Sequence, residues 1–184
     1  MKNIQTFESF SYDDSRFKNL TKEKIKTNLL TMNINDKNLY GDTMLTRTVV
    51  DNNLALVKYL LKLGADVDHT DDNDMLPISL AVDFVHTEIV EELLKYSPML
   101  YWDNNKSSIV GTDEYNIIQI SLLRKSYKIF EMLIKYFDFN DIFDDVLYDA
   151  IDVEDTEILN YLRKDYYDDV ERYIKKNKAN RFNL

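Results

Sequence analysis

Apolar residues recur along this chain with helical spacing, and the spacing itself recurs. Leu54, Val57, Leu60 and Leu61 line one face of a 3.6-residue helix. The same face returns 33 residues later, with Val90 on Val57, Leu93-Leu94 on Leu60-Leu61 and Lys95 on Lys62. A third copy lies 40 residues further on, with Phe130 on Val90, Leu133-Ile134 on Leu93-Leu94 and Lys135-Tyr136 on Lys95-Tyr96. Its seven extra residues fall between Tyr101 and Asp113, which reads as an enlarged loop. A weaker fourth copy follows after 29 residues, placing Ala150 on Ser121, Leu159 on Phe130 and Leu162 on Leu133.

A shorter helical pattern precedes each of these faces. In the first copy it opens near Gly41-Asp42-Thr43 and runs through Leu45, Thr48 and Val49, and Asn52-Asn53 separates it from the second helix. Gly64 stops that second helix, as a residue suited to the left-handed backbone of a helix C-terminus. Pro77 stands in a first helical turn, where its missing N–H costs nothing. The pattern predicts helix pairs over about 43–63, 76–96, 116–136 and 145–163, with Leu60, Leu93 and Leu133 in the core. One such pair cannot bury its own apolar face, so copies in a row imply a stack with a shared core. Residues 1–14 read as a loose leader and 15–35 as an N-terminal capping helix with Phe17, Leu20, Ile25, Leu29 and Leu30 apolar. The repeats occupy 36–164, and 165–184 form a C-terminal helix and basic tail.

The stretch GDTMLTRTVVDNNLALVKYLLKLGADVD resembles the ankyrin repeat over nearly the whole length of that family's pattern, and Leu61 to Asp68 is its most specific part. The second copy keeps Pro77, Ala81, His86, Glu88-Ile89-Val90 and Leu93-Leu94, and the third keeps Asn116 to Gln119. The resemblance implies an all-α, ankyrin-type solenoid of three to four helix-turn-helix repeats with helical caps. It departs from the family in one respect. Where the pattern has Thr-Pro-Leu-His, this chain has Thr43-Met44-Leu45-Thr46, Leu76-Pro77-Ile78-Ser79 and Asn116-Ile117-Ile118-Gln119. Loss of the His predicts weaker bonding between repeats.

Composition fits that architecture. Three Gly and two Pro are few for a fold of many tight turns, and 13 Tyr with 9 Phe argue against a disordered chain. Without Cys, disulfides and thiolate chemistry are excluded. No apolar run approaches a signal or a membrane span, so a soluble cytoplasmic protein is expected, in the host cytoplasm if it is viral. The net charge of −10 is uneven: residues 141–171 hold twelve acids and two bases, and 172–184 hold five bases and no acid. Such a balance disfavours direct nucleic-acid binding.

Catalytic signatures are missing: there is no glycine-rich phosphate loop and no His-Glu-x-x-His. His69 and His86 fall on different repeats and read as structural or solvated, with a structural hydrogen bond implied by the resemblance for His86. The acids Asp66, Asp68, Asp71, Asp72 and Asp74 lack the turn Gly and terminal Glu of a calcium loop. The chain therefore reads as a binding protein and not an enzyme, with no cofactor or metal.

The resemblance places contacts on loop tips and first helices: Leu39, Tyr40, Asp42, Val50 and Asp51, then Asp72, Asn73, Met75, Asp83 and Phe84, then Tyr115, Leu123 and Arg124. Trp102, in the enlarged loop beside Tyr115, either tucks onto the core or anchors a partner. Asp145, Asp149 and Asp152 share one helix face, as a solvated outer face or as a carboxylate array for a basic protein surface. The expected function is that of an adaptor or inhibitor bound to another protein, with no membrane contact. The alternative is a phage-encoded anti-CRISPR or anti-restriction inhibitor whose acidic face fills a basic nucleic-acid groove. Self-association is left open.

Overall fold

A computed structural model describes residues 16–71, 75–98, 100, 117–137, 146–148, 150–151 and 156–182, with side chains over 156–164 and 167–176 of the last segment. Its elements are α1 (Lys22–Asn28), α2 (Met44–Val50), α3 (Leu54–Lys62), α4 (Pro77–Asp83), α5 (Thr87–Leu94), α6 (Ile117–Leu123), α7 (Tyr127–Leu133), a 3-10 turn (Ile134–Tyr136) and α8 (Thr156–Phe182). No strand occurs among the described residues. The described residues form an all-α stack of helix pairs, as the repeat pattern predicts.

Pairing is regular. First helices α2, α4 and α6 pack side by side, second helices α3, α5 and α7 form a parallel row, and each pair is joined by a tight turn. The joint has one design, used three times. Asn52, Val85 and Lys125 take φ of 52°, 58° and 52°, and each N–H donates back to the helix it ends, on Val49, Val82 and Leu122. The next residue reaches one turn deeper: the N–H groups of Asn53, His86 and Ser126 donate to the carbonyls of Thr48, Ala81 and Ser121 at 2.9, 2.8 and 2.9 Å. This left-handed stop satisfies the orphan carbonyls of a short helix. Gly64 (φ 89°) ends α3 the same way, with its own N–H on Leu61 and that of Ala65 on Leu60.

The core follows the repeat. Val57, Val90 and Phe130, like Leu60, Leu93 and Leu133, are fully buried, and so are Val49, Ile78 and Ile118 from the first helices. Helices of seven to nine residues are too short to stand alone in water, so the stack carries their stability.

The ends differ from expectation. The N-terminal helix is shorter than the 15–35 segment read for it. Leu30, which the spacing places on its apolar face, is exposed, because the helix stops at Asn28 with Leu29 as its C-cap. At the other end, α8 runs without a break through residue 164, where a boundary is read between repeat and C-terminal helix. No Gly or Pro lies between 156 and 182 to stop it. Tyr161 of α8 meets Tyr127 and Phe130 of α7 edge-on, at ring-centroid distances of 5.8 and 6.0 Å.

Candidate functional site: the loop tips and first-helix ends

Two loops lead into the first helices, and their equivalent residues fold them. In the first repeat the Asn38 side chain accepts N–H bonds from Tyr40 and Asp42, while its backbone N–H donates to the Asp42 carbonyl at 2.8 Å. In the second repeat Asp71, 33 residues on, accepts from the Met75 N–H at 2.9 Å and donates its own N–H to the Met75 carbonyl at 3.0 Å. Asp66 uses its carboxylate likewise, on the Asp68 N–H. These acids therefore serve the backbone, and no cluster able to hold a metal occurs among the described residues.

The predicted contact residues divide accordingly. Leu39 and Tyr40 are exposed on the first loop, whereas Asp42 is half-buried and bonded through Oδ2 to the Asn38 side chain. Met75 must be struck from an exposed face: it is 5% exposed, because the loop closed on Asp71 turns it inward ahead of α4. Asp72, Asn73, Trp102, Tyr115, Asp145, Asp149 and Asp152 lie outside the residues whose side chains are described.

The C-terminal ends of the first helices present the rest. Val50 is half-buried, and Asp51 forms an i,i+4 ion pair with Arg47 at 3.0 Å. One repeat on, Arg124 of the α6 end reaches back to Asp83 of α4, with Nε and Nη2 on Oδ1 at 3.0 and 2.6 Å. Phe84, Val85 and Leu123 flank this inter-repeat pair and are exposed. The Phe84 ring stacks on the His86 imidazole at 5.8 Å. His86 makes no side-chain cap, and its Nε2 is buried without a hydrogen-bond partner, so the structural bond implied for it is not formed. Val85 was not singled out from the sequence. The signal for it was the turn position, where the family pattern carries Gly.

The second helices carry a separate charge cluster. Glu92 on α5 accepts from Lys95 at 2.8 Å and faces Lys58 of α3 at 3.7 Å. The Lys95 hydrogen bond, with charge from both lysines, holds its carboxyl below the ordinary value against the opposing effect of burial. Lys95 is raised in turn, chiefly by the bond to Glu92. Burial, then the charges of Glu131 and Glu157, pushes the Tyr127 phenol up and keeps it neutral.

Side-by-side helix pairs, polar-loop joints and exposed first-helix ends define a helical-repeat scaffold of the kind built for macromolecular contact. Residues 16–106 match the family model for ankyrin repeats, in three copies, and the chain belongs to the ankyrin-repeat family. That match begins ahead of α1, which the structure supports: Asn19 (φ 50°) precedes α1 as Asn52 precedes α3. A search of curated proteins found no match. Ankyrin repeats bind other proteins and are typically non-catalytic. No helix among the described residues is long and apolar enough to cross a membrane.

Proposed function

We propose that this protein is an adaptor or inhibitor that grips a partner protein with the exposed ends of its first helices and its first loop tip. The observation that carries this reading is the group Phe84, Val85 and Leu123 around the Asp83–Arg124 ion pair. Exposed apolar side chains around a fixed charge pair form a contact patch with an anchor and a polar reference point. Asp83 is largely covered by its pairing, so Phe84 is the sharper probe. A photo-crosslinking residue at position 84 should capture the partner. Phe84→Ala should weaken that complex by about tenfold, or about 1.4 kcal/mol, with an unchanged melting temperature. Undiminished affinity would move the contact elsewhere, to the enlarged loop first.

A second reading rests on the twelve acids of residues 141–171. In it the protein is an anti-defence inhibitor whose acidic face occupies a basic groove meant for nucleic acid. Association rates would then fall steeply with salt, and replacing Asp145, Asp149 and Asp152 by Asn would slow association more than it speeds dissociation. Equal association rates for both proteins would remove this reading.

A further inference from the structure

The row of second helices leaves one large apolar side chain exposed at the same place on four described rungs. Leu30, Leu63 and Tyr96 are 33 residues apart, and each N–H donates three residues back, to the carbonyls of Thr27, Leu60 and Leu93 at 3.2, 3.0 and 3.0 Å. They are one position on α1, α3 and α5, and Tyr136 continues it 40 residues on, after α7. Their exposures are 83%, 43%, 40% and 54%. α1 joins the row through Lys22, whose ammonium lies 5.4 Å from the centre of the Tyr59 ring of α3, and through Asn35, which accepts the Asp66 N–H at 3.0 Å. Between the last two rungs the stripe borders an open groove of about 290 Å³, walled by Leu94, Met132 and Tyr136 with Glu91, Lys95 and Lys135 completing the lining. Single exposed apolar residues need no explanation, but four at one repeat position do.

We propose that residues 1–15 of the same molecule lie back along this stripe and cover it. The place where the chain arrives points to this occupant. The Asn28 side chain, buried at the last residue of α1, donates to the Arg16 carbonyl at 2.8 Å, and Phe17 is sunk in the core. The fifteen residues ahead of Arg16 are thus tethered at the end of α1 that carries Leu30, the first rung of the stripe. Reach is sufficient. At about 3.3 Å per residue such a segment spans up to about 50 Å, and three steps between helices about 8–10 Å apart need roughly 30 Å. Composition fits as well, since Ile4, Phe7, Phe10 and Tyr12 supply large apolar groups for the stripe and the groove. A short tether also gives an effective concentration on the order of millimolar. A stripe too weak to hold a free partner can therefore hold its own leader, an advantage that a second copy or a separate protein lacks. The stripe shares no residue with the patch around Phe84, and the proposal does not rest on that reading.

The chain has no Cys, so Ser9→Cys gives a single site for a nitroxide on the full chain. In dilute isotope-labelled protein the amide signals of Leu63 and Tyr96 should lose most of their intensity, while those of Phe84 and Leu123 should keep theirs. Phe7→Asp/Phe10→Asp in the same spin-labelled chain should restore the lost signals. An independent arm changes the stripe: Leu63→Ser/Tyr96→Ser should restore the adjacent Gly64 and Ser97 signals. Leu63 and Tyr96 lie outside the buried core, and circular dichroism checks that each variant stays folded. The proposal is overturned if Leu63 and Tyr96 keep their intensity in the parent chain. It is also overturned if either double variant leaves the loss in place, because a loose tether alone would then account for it. Equal broadening of an isotope-labelled chain by a separate, spin-labelled chain mixed with it would assign the stripe to a second copy and overturn the proposal as well.

Discussion

The first and second repeats share a backbone and differ in how they satisfy it. In the first, Thr43 and Thr46 cap α2 reciprocally, with Oγ1 of each accepting the other's N–H at 3.0 and 2.7 Å. Asn53 caps α3 through the Leu56 N–H, Asn52 takes the left-handed turn, and Gly64 takes the left-handed stop. In the second, Leu76 cannot cap α4, Ser79 Oγ is buried without a partner, and Val85 and Ser97 hold the two left-handed positions. A branched side chain at positive φ is strained, where Asn is tolerated and Gly is at ease. Position explains the tolerance. α4 packs against α2 on one side and α6 on the other, and α5 likewise against α3 and α7. A unit clasped from both sides keeps its shape through interfaces, so it can carry such local faults.

The largest expected effect tests whether the interfaces hold the central repeat. Leu93→Ala removes a fully buried side chain there and should cost about 2–5 kcal/mol in urea denaturation. A cost under about 0.5 kcal/mol would mean that the packing does not carry it.

Next comes a contrast of sign at one repeat position. Thr46→Val breaks the reciprocal cap and should destabilise by about 1–2 kcal/mol. Ser79→Ala removes an unsatisfied hydroxyl and should be neutral or stabilise by about 1 kcal/mol. Two losses of similar size would show that Ser79 has a partner in solution and would erase the contrast.

A third pair exchanges the turn residues. Val85→Asn should raise stability by about 1 kcal/mol, and Asn52→Val should lower it by a similar amount. Melting temperatures moving the same way for both would show that the turn geometry is not shared.

The smallest effect concerns Glu92, which joins the two repeats electrostatically. Its carboxyl is lowered in the folded chain, so its contribution is whole above the unfolded value of about 4.3 and is lost as pH falls through the lower folded value. Acid titration of stability should therefore be shallower below that value in Glu92→Gln than in wild type. Lys58→Ala should cost under about 1 kcal/mol at neutral pH, as a partly exposed pair.

Legibility from sequence followed the range of the cause. Helix pairs, the Leu60, Leu93 and Leu133 core, Pro77 in the first turn of α4 and Gly64 at the end of α3 are written in local spacing. What escaped depends on contacts far apart in the chain or on where a helix happens to stop. The Asp83–Arg124 bridge joins residues 41 apart and leaves no trace in either neighbourhood. Met75 looked like a loop residue and is covered because Asp71 turns the loop. Leu30 has an apolar identity but sits past the last helical turn. The continuity of α8 depended on an absence of breakers that a repeat alignment does not weigh. The exposed helix ends were visible as an alignment of Lys95-Tyr96 with Lys135-Tyr136, but periodicity alone cannot separate a core position from a surface one.

The connection between α5 and α6 has a practical corollary. Twenty-two residues separate Leu94 from Ile117, yet α6 sits against α4 and α7 against α5 as their predecessors sit against α2 and α3. Chain length at this junction is thus uncoupled from the geometry on either side, and doubling such a connection adds only about 0.6 kcal/mol of closure entropy. Lengthening the chain between Leu94 and Ile117 should therefore leave the register of α6 and α7 unchanged.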